Sequence, residues 1–204
     1  MRTLVVNNYV DQAKYVAAMD NLCAQVKDCF RSNVERVSYE HFTPDFVNEE
    51  GSKFDAVVLS GSEALYSRPQ DRARFQTAIE GTRRLTFPVL GICGGHQLLA
   101  MAHDENIVDM GKAFRDYYEV EILVDDPLFE GLERRVTVRE SHQEMVEHLP
   151  KRFLLLARSQ DTPIEAMKHE KGIAYGVQFH PERYDEAHPA GGVILANFGK
   201  LVRR

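Results

Sequence analysis

The stretch Pro88-Val-Leu-Gly-Ile-Cys-Gly-Gly-His-Gln-Leu-Leu-Ala-Met-Ala102 decides the fold that the sequence predicts. It reads as a short apolar strand, a sharp turn that carries Cys93, and then a helix. Gly91 and Gly95 flank the cysteine as Gly-x-Cys-x-Gly, the spacing of a nucleophile elbow, where small neighbours relieve steric clash at a strained turn. We expect the thiol to project into solvent at the helix N-terminus, where the helix dipole favours a thiolate. The alternative interpretation is a buried cysteine in a closely packed strand–helix unit.

Apolar segments before this unit alternate between strand and helix patterns. β-branched and apolar runs predict strands over residues 3–6, 34–39, 54–59 and 88–92. Apolar residues at steps of three and four predict helices over residues 11–30 and 72–82. This alternation predicts a parallel sheet with helices on both faces. The polar stretch 61–71, which contains Pro69, is predicted to be a mobile loop near Cys93.

The second half of the chain has a different pattern. Residues 118–124 and 135–138 alternate polar and apolar side chains, as half-exposed antiparallel strands do. Further strand patterns cover residues 153–157, 164–167 and 173–179, and residues 193–201 present one apolar helical face. The predicted fold class is α/β, a three-layer single domain over residues 1–204. Its central sheet is mostly parallel, with helices on both faces and a smaller antiparallel sheet.

Composition excludes several classes of function. With 204 residues, of which 44% are hydrophobic and 27% charged, the chain resembles one soluble globular domain. A net charge of −6 without a basic run argues against a nucleic-acid partner, and no apolar segment is long enough to predict a membrane span. The N-terminus is too short and polar for a signal peptide. Three cysteines without metal-ligand spacing, Cys23, Cys29 and Cys93, predict free thiols in a reducing cytoplasm.

The stretch Tyr175-Gly-Val-Gln-Phe-His-Pro-Glu182 carries a second group of reactive side chains. His180 and Glu182 are two residues apart, so on an extended chain they project from the same face. Pro181 between them lacks a backbone donor and predicts the end or the edge of a strand. A carboxylate beside an imidazole holds its tautomer and stabilises the imidazolium, and such a base can deprotonate a cysteine thiol. The alternative is a hydrogen-bonded histidine at a strand end beside a solvated glutamate.

Other patterns of reactive residues are weaker. The histidine spacings match no metal-ligand signature, so no metal is predicted, and the histidines other than His180 are interpreted as surface or loop residues; those considered are His96, His103, His142, His148, His169, His180 and His188. Neither Gly-x-x-x-x-Gly-Lys-Ser/Thr nor Gly-x-Gly-x-x-Gly occurs in the sequence. We therefore predict no cofactor and no ATP-dependent module in this chain.

Two motifs carry a family resemblance. Gly91-Ile-Cys-Gly-Gly-His-Gln97 and Gly176-Val-Gln-Phe-His-Pro-Glu182 together resemble the class I (triad) glutamine amidotransferases. The similarity continues through Ser141-His-Gln-Glu-Met-Val146, Leu149-Pro150 and Pro163-Ile-Glu-Ala-Met-Lys168. Taken together, these segments cover essentially the whole chain in the same order as in the family. They are most similar to the glutaminase subunit or domain of GMP synthase. The resemblance implies a flavodoxin-like α/β fold of the amidotransferase type.

The resemblance also implies a reaction. Cys93 would attack the side-chain amide of L-glutamine, His180 would carry the proton from the thiol to the departing ammonia, and Glu182 would hold His180. The resulting γ-glutamyl thioester would be hydrolysed to glutamate. Backbone N–H groups of Gly94 and of the Gly61-Ser62 turn would hold the oxyanion.

Three further residues are implied to bind the substrate. The amino-acid end of glutamine would be held by Gln97 and by the Ser141-His142 segment. The alternative interpretation of Gln97 is a polar residue in the first helical turn, and that of Ser141 and His142 is a loop or turn.

The sequence departs from the family pattern in three places. The family usually has Ser-Gly-Gly-Pro at the oxyanion turn, where this chain has Ser60-Gly-Ser-Glu63. The residue after the nucleophile is usually larger and often aromatic, and here it is Gly94. A glycine pair after the elbow helix is replaced by His103-Asp-Glu-Asn106. None of these changes removes a triad residue; they bear on the conformation of the oxyanion turn and on the identity of the partner.

Three hypotheses of function follow from the sequence. The first is a glutamine amidotransferase subunit that passes ammonia to a separate synthase chain of the ATP pyrophosphatase type, as in GMP synthase of purine biosynthesis. The second is a stand-alone hydrolase of γ-glutamyl compounds with the same triad, favoured by the altered oxyanion turn and the space at Gly94. The third is a non-catalytic regulatory protein on this fold, against which the intact Cys93, His180 and Glu182 argue.

Overall fold

Strands and helices alternate along most of the structure, a computed structural model that describes residues 1–203. Within these residues the strands are β1 (Arg2–Asn7), β2 (Asn33–Ser38), β3 (Ala56–Leu59), β4 (Val89–Ile92), β5 (Ile107–Phe114), β6 (Tyr117–Ile122), β7 (Arg135–Arg139), β8 (His142–Val146), β9 (Phe153–Arg158), β10 (Ala166–His169) and β11 (Ala174–Val177). The α-helices are α1 (Val16–Phe30), α2 (Pro44–Glu50), α3 (Pro69–Arg74), α4 (Gln76–Arg83), α5 (Gly94–Ala102) and α6 (Ala190–Val202). Short 3-10 helices cover Gly51–Lys53, Pro127–Phe129 and Pro181–Arg183.

A nine-stranded sheet runs through the protein in the order β2-β1-β3-β4-β11-β10-β9-β6-β7. The five strands from β2 to β11 pair in parallel, and the pairs from β11 to β7 are antiparallel. A separate two-stranded antiparallel sheet consists of β5 and β8. This architecture confirms the predicted α/β class with its additional small antiparallel sheet.

Helices cover both faces of the parallel strands. Successive side chains of a strand point to opposite faces, so β1 directs Val5 to one core and Leu4 and Val6 to the other. The first core is closed by buried side chains of α1 and α6, including Phe30 and Phe198. The second is closed by α4 and α5, with α2 packed against α4. Because β3 and β4 are buried on both faces, their sequences are continuous apolar runs rather than alternating ones.

The antiparallel strands predicted from the second half are present, but they extend the main sheet. β6 pairs with β7 and is joined to the central strands through β9. The small sheet is formed instead by β5 and β8, which the sequence analysis did not predict. Most side chains of β5 are at least partly exposed, and β8 buries the polar residues His142 and Glu144, so the hydrophobic pattern on which the prediction depended is weak there.

Helix bounds differ from the prediction in three places. The helix predicted over residues 72–82 is two helices, α3 and α4, which meet at Phe75. The first helix begins at Val16 rather than at residue 11, and α2 was not predicted. Among the described residues, no helix is both long enough and apolar enough to span a membrane.

The segment predicted to be a mobile loop is held by hydrogen bonds. The Glu144 carboxylate accepts from the backbone N–H groups of Tyr66 and Ser67, at 2.7 and 3.0 Å. Asp71 accepts from the N–H of Leu65 at 3.1 Å. From Pro69 onward the segment is helix α3. The prediction of a mobile loop does not fit these contacts. The polar composition of the segment gave no indication of them, because the acceptor Glu144 is distant in sequence.

Candidate active site

Cys93 occupies the turn between β4 and α5, as the elbow pattern predicted. Its backbone has φ 49° and ψ −105°, a conformation that residues with a Cβ rarely adopt. Backbone hydrogen bonds hold it on both sides, since the Cys93 N–H donates to Val177 and the Cys93 carbonyl accepts from Gln97. A Cβ on Gly95 would lie 2.1 Å from the carbonyl oxygen of Leu59, so only glycine permits this approach of helix to strand.

The Cys93 side chain is buried rather than projecting into solvent as expected. Only 4% of the residue is exposed. Its sulfur lies 3.7 Å from the carbonyl oxygen of Ser141 and 3.7 Å from Nε2 of Gln178. The expectation was wrong because β8 and the end of β11 fold over the turn, and these segments are distant in sequence. Cys93 reaches solvent through a pocket that it lines.

His180 and Glu182 form a buried pair after the end of β11. Nδ1 of His180 lies 2.7 Å from Oε1 of Glu182. Burial alone would lower the pKa of His180, but the charges of Glu182 and Cys93 outweigh it and raise that pKa from 6.5 to about 9. Burial alone would raise the pKa of Glu182, but His180 and Arg183 together hold it below its ordinary value. The pair is therefore an imidazolium beside a carboxylate at neutral pH.

A pocket of about 420 Å³ brings most of the predicted site residues together. Its lining includes Cys93, His180, Ser62, Gln97, Ser141 and His142. Glu182 lies behind the His180 ring, and a Cβ on Gly61 would lie 3.0 Å from Cε1 of that ring. A cavity of similar volume, about 430 Å³, is lined by the segment 122–134 and contains none of the predicted residues.

Two of the departures from the family pattern lie against each other. A Cβ built on Gly94 would be 2.7 Å from both the Cβ and the backbone nitrogen of Ser62. The Ser62 side chain thus occupies space that a larger residue at position 94 would need. Neither Gly61 nor Ser62 has a positive φ, so a residue with a Cβ fits this turn without strain. The serine and the glycine therefore compensate each other sterically.

A comparison with known families decides the identity. The model of the family "Glutamine amidotransferase class-I" matches residues 15–200. This chain belongs to that family. One relative, from the glutamine-hydrolysing GMP synthase of Pyrococcus abyssi, is 42% identical over 145 residues, which cover 71% of this chain and 74% of the relative. The corresponding GMP synthase chain of Methanosarcina barkeri is 34% identical, with coverage of 100% of this chain and 98% of the relative.

Solved structures agree with the amidotransferase fold. The crystal structure of a glutamine amidotransferase from Thermotoga maritima has a TM-score of 0.73 and 18% identity, and the match covers 100% of this chain and 99% of the other. The structure of a candidate GMP synthase subunit from Thermoplasma acidophilum has a TM-score of 0.82 and 22% identity, and covers 100% and 94%. At these identities the similarity shows the fold.

The substrate-binding residues predicted for this amidotransferase lie at the pocket, where some of their polar groups make hydrogen bonds within the protein. Nε2 of Gln97 donates to the Glu144 carbonyl at 2.9 Å and to Gln178 at 3.1 Å. Nδ1 of His142 lies 3.0 Å from the same Glu144 carbonyl. The Ser141 carbonyl faces the Cys93 sulfur. These contacts order the pocket wall, and the role of the three residues in substrate binding stays a prediction.

The amidotransferase pocket also contains residues that the sequence analysis missed. Lys14, Arg115 and Arg183 give its lining positive charge, and Tyr9 stacks on Tyr15 with ring centroids 4.2 Å apart; the lining also includes Gln143 and Glu144. Most of these side chains come from separate loops and carry no motif of their own. A sequence signal was available for Gln143 and Glu144, which lie inside the Ser141–Val146 motif.

Two histidines interpreted as surface or loop residues are buried in this amidotransferase. His96 lies in α5 with no exposed surface, and burial lowers its pKa from 6.5 to about 3, so the ring is neutral. His142 is also buried. The interpretation was wrong for both because their burial depends on strands β11 and β5, which pack against them from other parts of the chain.

Proposed function

We propose that Cys93, His180 and Glu182 form the catalytic triad with which this glutamine amidotransferase hydrolyses L-glutamine. The observation that carries the proposal is the Cys93 elbow and the hydrogen-bonded His180–Glu182 pair at one pocket. Glu182 holds Nδ1 of His180, so proton transfer falls to Nε2 of the ring. The raised pKa of His180 keeps a positive charge beside the sulfur, which favours the thiolate.

The proposed reaction has two stages. The Cys93 sulfur attacks the side-chain amide carbonyl of glutamine, and a C–S bond forms. The C–N bond then breaks as His180 gives its proton to the departing ammonia, leaving a γ-glutamyl thioester. His180 next takes a proton from water, whose oxygen attacks the thioester. The C–S bond then breaks as glutamate leaves, and the proton stays on His180, which restores the starting imidazolium beside the free sulfur.

Backbone donors and charged side chains supply the rest of the proposed site. The N–H groups of Gly94 and of the Gly61-Ser62 turn would hold the oxyanion, which the packing of Gly94 against Ser62 supports. Gln97 and the Ser141-His142 segment would hold the amino-acid end of the substrate. The positive charge of Lys14 and Arg115 in the pocket lining suits the α-carboxylate of glutamine.

The ammonia would pass to a separate synthase subunit, of the ATP pyrophosphatase type. This proposal is supported by the relatives, whose names describe one subunit of a glutamine-hydrolysing GMP synthase. The sequence of this chain contains no phosphate-binding glycine motif for the second half-reaction. We further propose one domain over residues 1–204, located in the cytoplasm, which the free thiols of Cys23, Cys29 and Cys93 support.

Glutamine hydrolysis by purified protein tests the triad. We expect Cys93→Ala to abolish ammonia release, whereas the matched variant Cys23→Ala retains it. A glutamine-like electrophile should label Cys93 and spare Cys23 and Cys29, because burial raises the pKa of both helical thiols. Unchanged hydrolysis in Cys93→Ala contradicts the triad and revives the non-catalytic hypothesis.

Substrate choice separates this function from a stand-alone γ-glutamyl hydrolase. One argument for that alternative was the extra space expected at Gly94. The Ser62 side chain fills this space, so the argument no longer supports a larger substrate. We expect glutamine to be hydrolysed in preference to γ-glutamyl peptides, and faster when the synthase chain is present. Faster release of amino acids from γ-glutamyl peptides would support the alternative instead.

A further inference from the structure

A second cluster of reactive side chains lies on the other side of the pocket wall from Cys93. We propose that Glu140, His142 and Glu165 form a binding site for one divalent transition-metal cation. The three come from the end of β7, the start of β8 and the segment before β10. Because they are brought together from separate strands, the spacing of histidines in the sequence gave no ligand signature.

The geometry of the cluster fits a single ion. One ligand atom from each side chain lies within 4.8 Å of the other two. Nε2 of His142 is 3.1 Å from Oε2 of Glu140, although the two atoms are not aligned for a hydrogen bond. Two ligand atoms bound at about 2.1 Å to one ion lie about 3.0 to 3.5 Å apart. The observed separation falls within that range.

Burial leaves the facing polar atoms of this cluster without hydrogen-bond partners within residues 1–203. Glu140 and Glu165 are each 1% exposed, and the His142 side chain is 2% exposed. Both carboxylate oxygens of Glu140, Oε2 of Glu165 and Nε2 of His142 have no hydrogen-bond partner among the described residues. Unpartnered polar atoms at this depth are costly, and a shared cation would satisfy all three side chains.

The orientation of the His142 ring points to a ligand role. Its Nδ1 faces the Glu144 carbonyl oxygen at 3.0 Å. A carbonyl can only accept, so Nδ1 carries the proton and Nε2 keeps its lone pair. Metal-binding histidines commonly donate the second ring N–H to a backbone carbonyl in this way. The Phe114 ring stacks on the imidazole at 17° and further holds its plane.

Charge balance favours a dication over a protein cation. Two adjacent buried carboxylates repel each other, and one divalent ion with a neutral imidazole cancels their charge. The two arginines that line the same cavity bind other acids: Arg135 pairs with Glu119 at 3.3 Å, and Arg158 pairs with Glu121 at 2.9 Å. An imidazole with two carboxylates suits zinc or manganese better than magnesium or calcium, which prefer oxygen alone.

A cavity of about 590 Å³ offers the ion a route from solvent. Glu140, His142 and Glu165 all line it. His142 also lines the pocket that contains Cys93, and the neighbouring Ser141 carbonyl faces the Cys93 sulfur. A bound ion would therefore brace the segment 140–144 that forms one wall of the active site, without touching the reacting atoms.

Metal binding to the full chain tests the site. Protein stripped with a chelator would be titrated with Zn²⁺, Mn²⁺ and Mg²⁺, and bound metal counted by mass spectrometry. We expect about one Zn²⁺ per chain, and a loss of affinity of at least about 100-fold in Glu140→Gln and Glu165→Gln. Glu147→Gln is the matched control, because Glu105, Glu147 and His148 form a comparable but more exposed cluster. Cys93→Ala should also keep the ion, which excludes the thiol as the ligand.

Absorption spectroscopy of Co²⁺ bound to the wild-type chain tests the site even if a variant fails to fold. Co²⁺ bound by one imidazole and two carboxylates should give visible d–d bands in the wild-type chain, without the intense charge-transfer band of a thiolate ligand. Absence of those bands together with no stoichiometric Zn²⁺ overturns the proposal, and the carboxyl pair then shares a proton instead. Equal Zn²⁺ binding by the wild type and by folded Glu140→Gln and Glu165→Gln overturns it as well.

Discussion

Two buried histidines in this protein each lie two residues from a glutamate, yet their environments differ. His180 directs Nδ1 to the Glu182 carboxylate at 2.7 Å, and its pKa rises to about 9. His142 directs Nδ1 to a backbone carbonyl, and the Glu140 carboxylate lies 3.1 Å from Nε2 without hydrogen-bond alignment. Burial is the largest influence on the pKa of His142 and lowers it.

The group that Nδ1 contacts separates the two roles. A carboxylate at Nδ1 stabilises the imidazolium and leaves Nε2 free for the proton transfer with Cys93 that we propose. A carbonyl at Nδ1 keeps the ring neutral and leaves a lone pair on Nε2, which suits a cation. A histidine and a glutamate two residues apart are therefore not a catalytic pair by spacing alone.

The largest difference between the two histidines is expected in catalysis. His180→Asn should lower kcat for glutamine hydrolysis by about 1,000-fold or more, because it removes the acid and base of both stages. His142→Asn should lower kcat/KM by about tenfold, mainly through KM, since it affects the pocket wall. Steady-state ammonia release measures both. Equal losses of kcat in the two folded variants would erase the distinction.

A smaller contrast is expected for the two glutamates. Glu182→Gln should lower kcat by about 100-fold, because the amide cannot stabilise the His180 imidazolium. Glu140→Gln should change kcat by no more than a few-fold, since its carboxylate does not contact the reacting atoms. The imidazole signals of His180, followed by NMR across pH, should titrate near 9 in the wild type and lower in Glu182→Gln. An unshifted titration contradicts the assignment of the charge to Glu182.

The pH dependence of stability sharpens the contrast further at the His180–Glu182 pair. The folded pKa of His180 lies above its unfolded value of 6.5, so its stabilisation is complete below pH 6.5 and is lost as the pH rises to about 9. Urea unfolding should show Glu182→Gln less stable than the wild type by on the order of 1 to 3 kcal/mol at pH 6. The deficit should shrink by pH 9, and a deficit independent of pH would count against the ion pair.

A separate pH dependence of stability is expected at Glu140 in metal-free protein. Burial raises the pKa of Glu140 from 4.5 to about 8, so the unfolded chain ionises first and the folded state loses stability as the pH rises between these values. Glu140→Gln cannot ionise, so we expect its stability relative to the wild type to rise as the pH increases from 5 to 8. If the stability difference between Glu140→Gln and the wild type stays constant across this pH range, the ionisation does not occur at Glu140.

Local patterns predicted much of this protein. The Gly-x-Cys-x-Gly turn, the apolar runs of β3 and β4 and the His-Pro-Glu segment each depend on neighbours in the sequence, so their residues could be read directly. The elbow at Cys93 follows from the steric demands of one turn. The alternation of strand and helix in the first half likewise determined the parallel part of the sheet.

Contacts between distant segments were decided only by the tertiary structure. The burial of Cys93 depends on Ser141 and Gln178, and the fit of Gly94 depends on Ser62. The cluster of Glu140, His142 and Glu165 exists because three strands converge, and no spacing in the chain encodes it. The sequence therefore determines which side chains each strand or helix carries. The packing of distant segments decides which atoms surround those side chains, and these neighbouring atoms set the charge and the reactivity of each side chain.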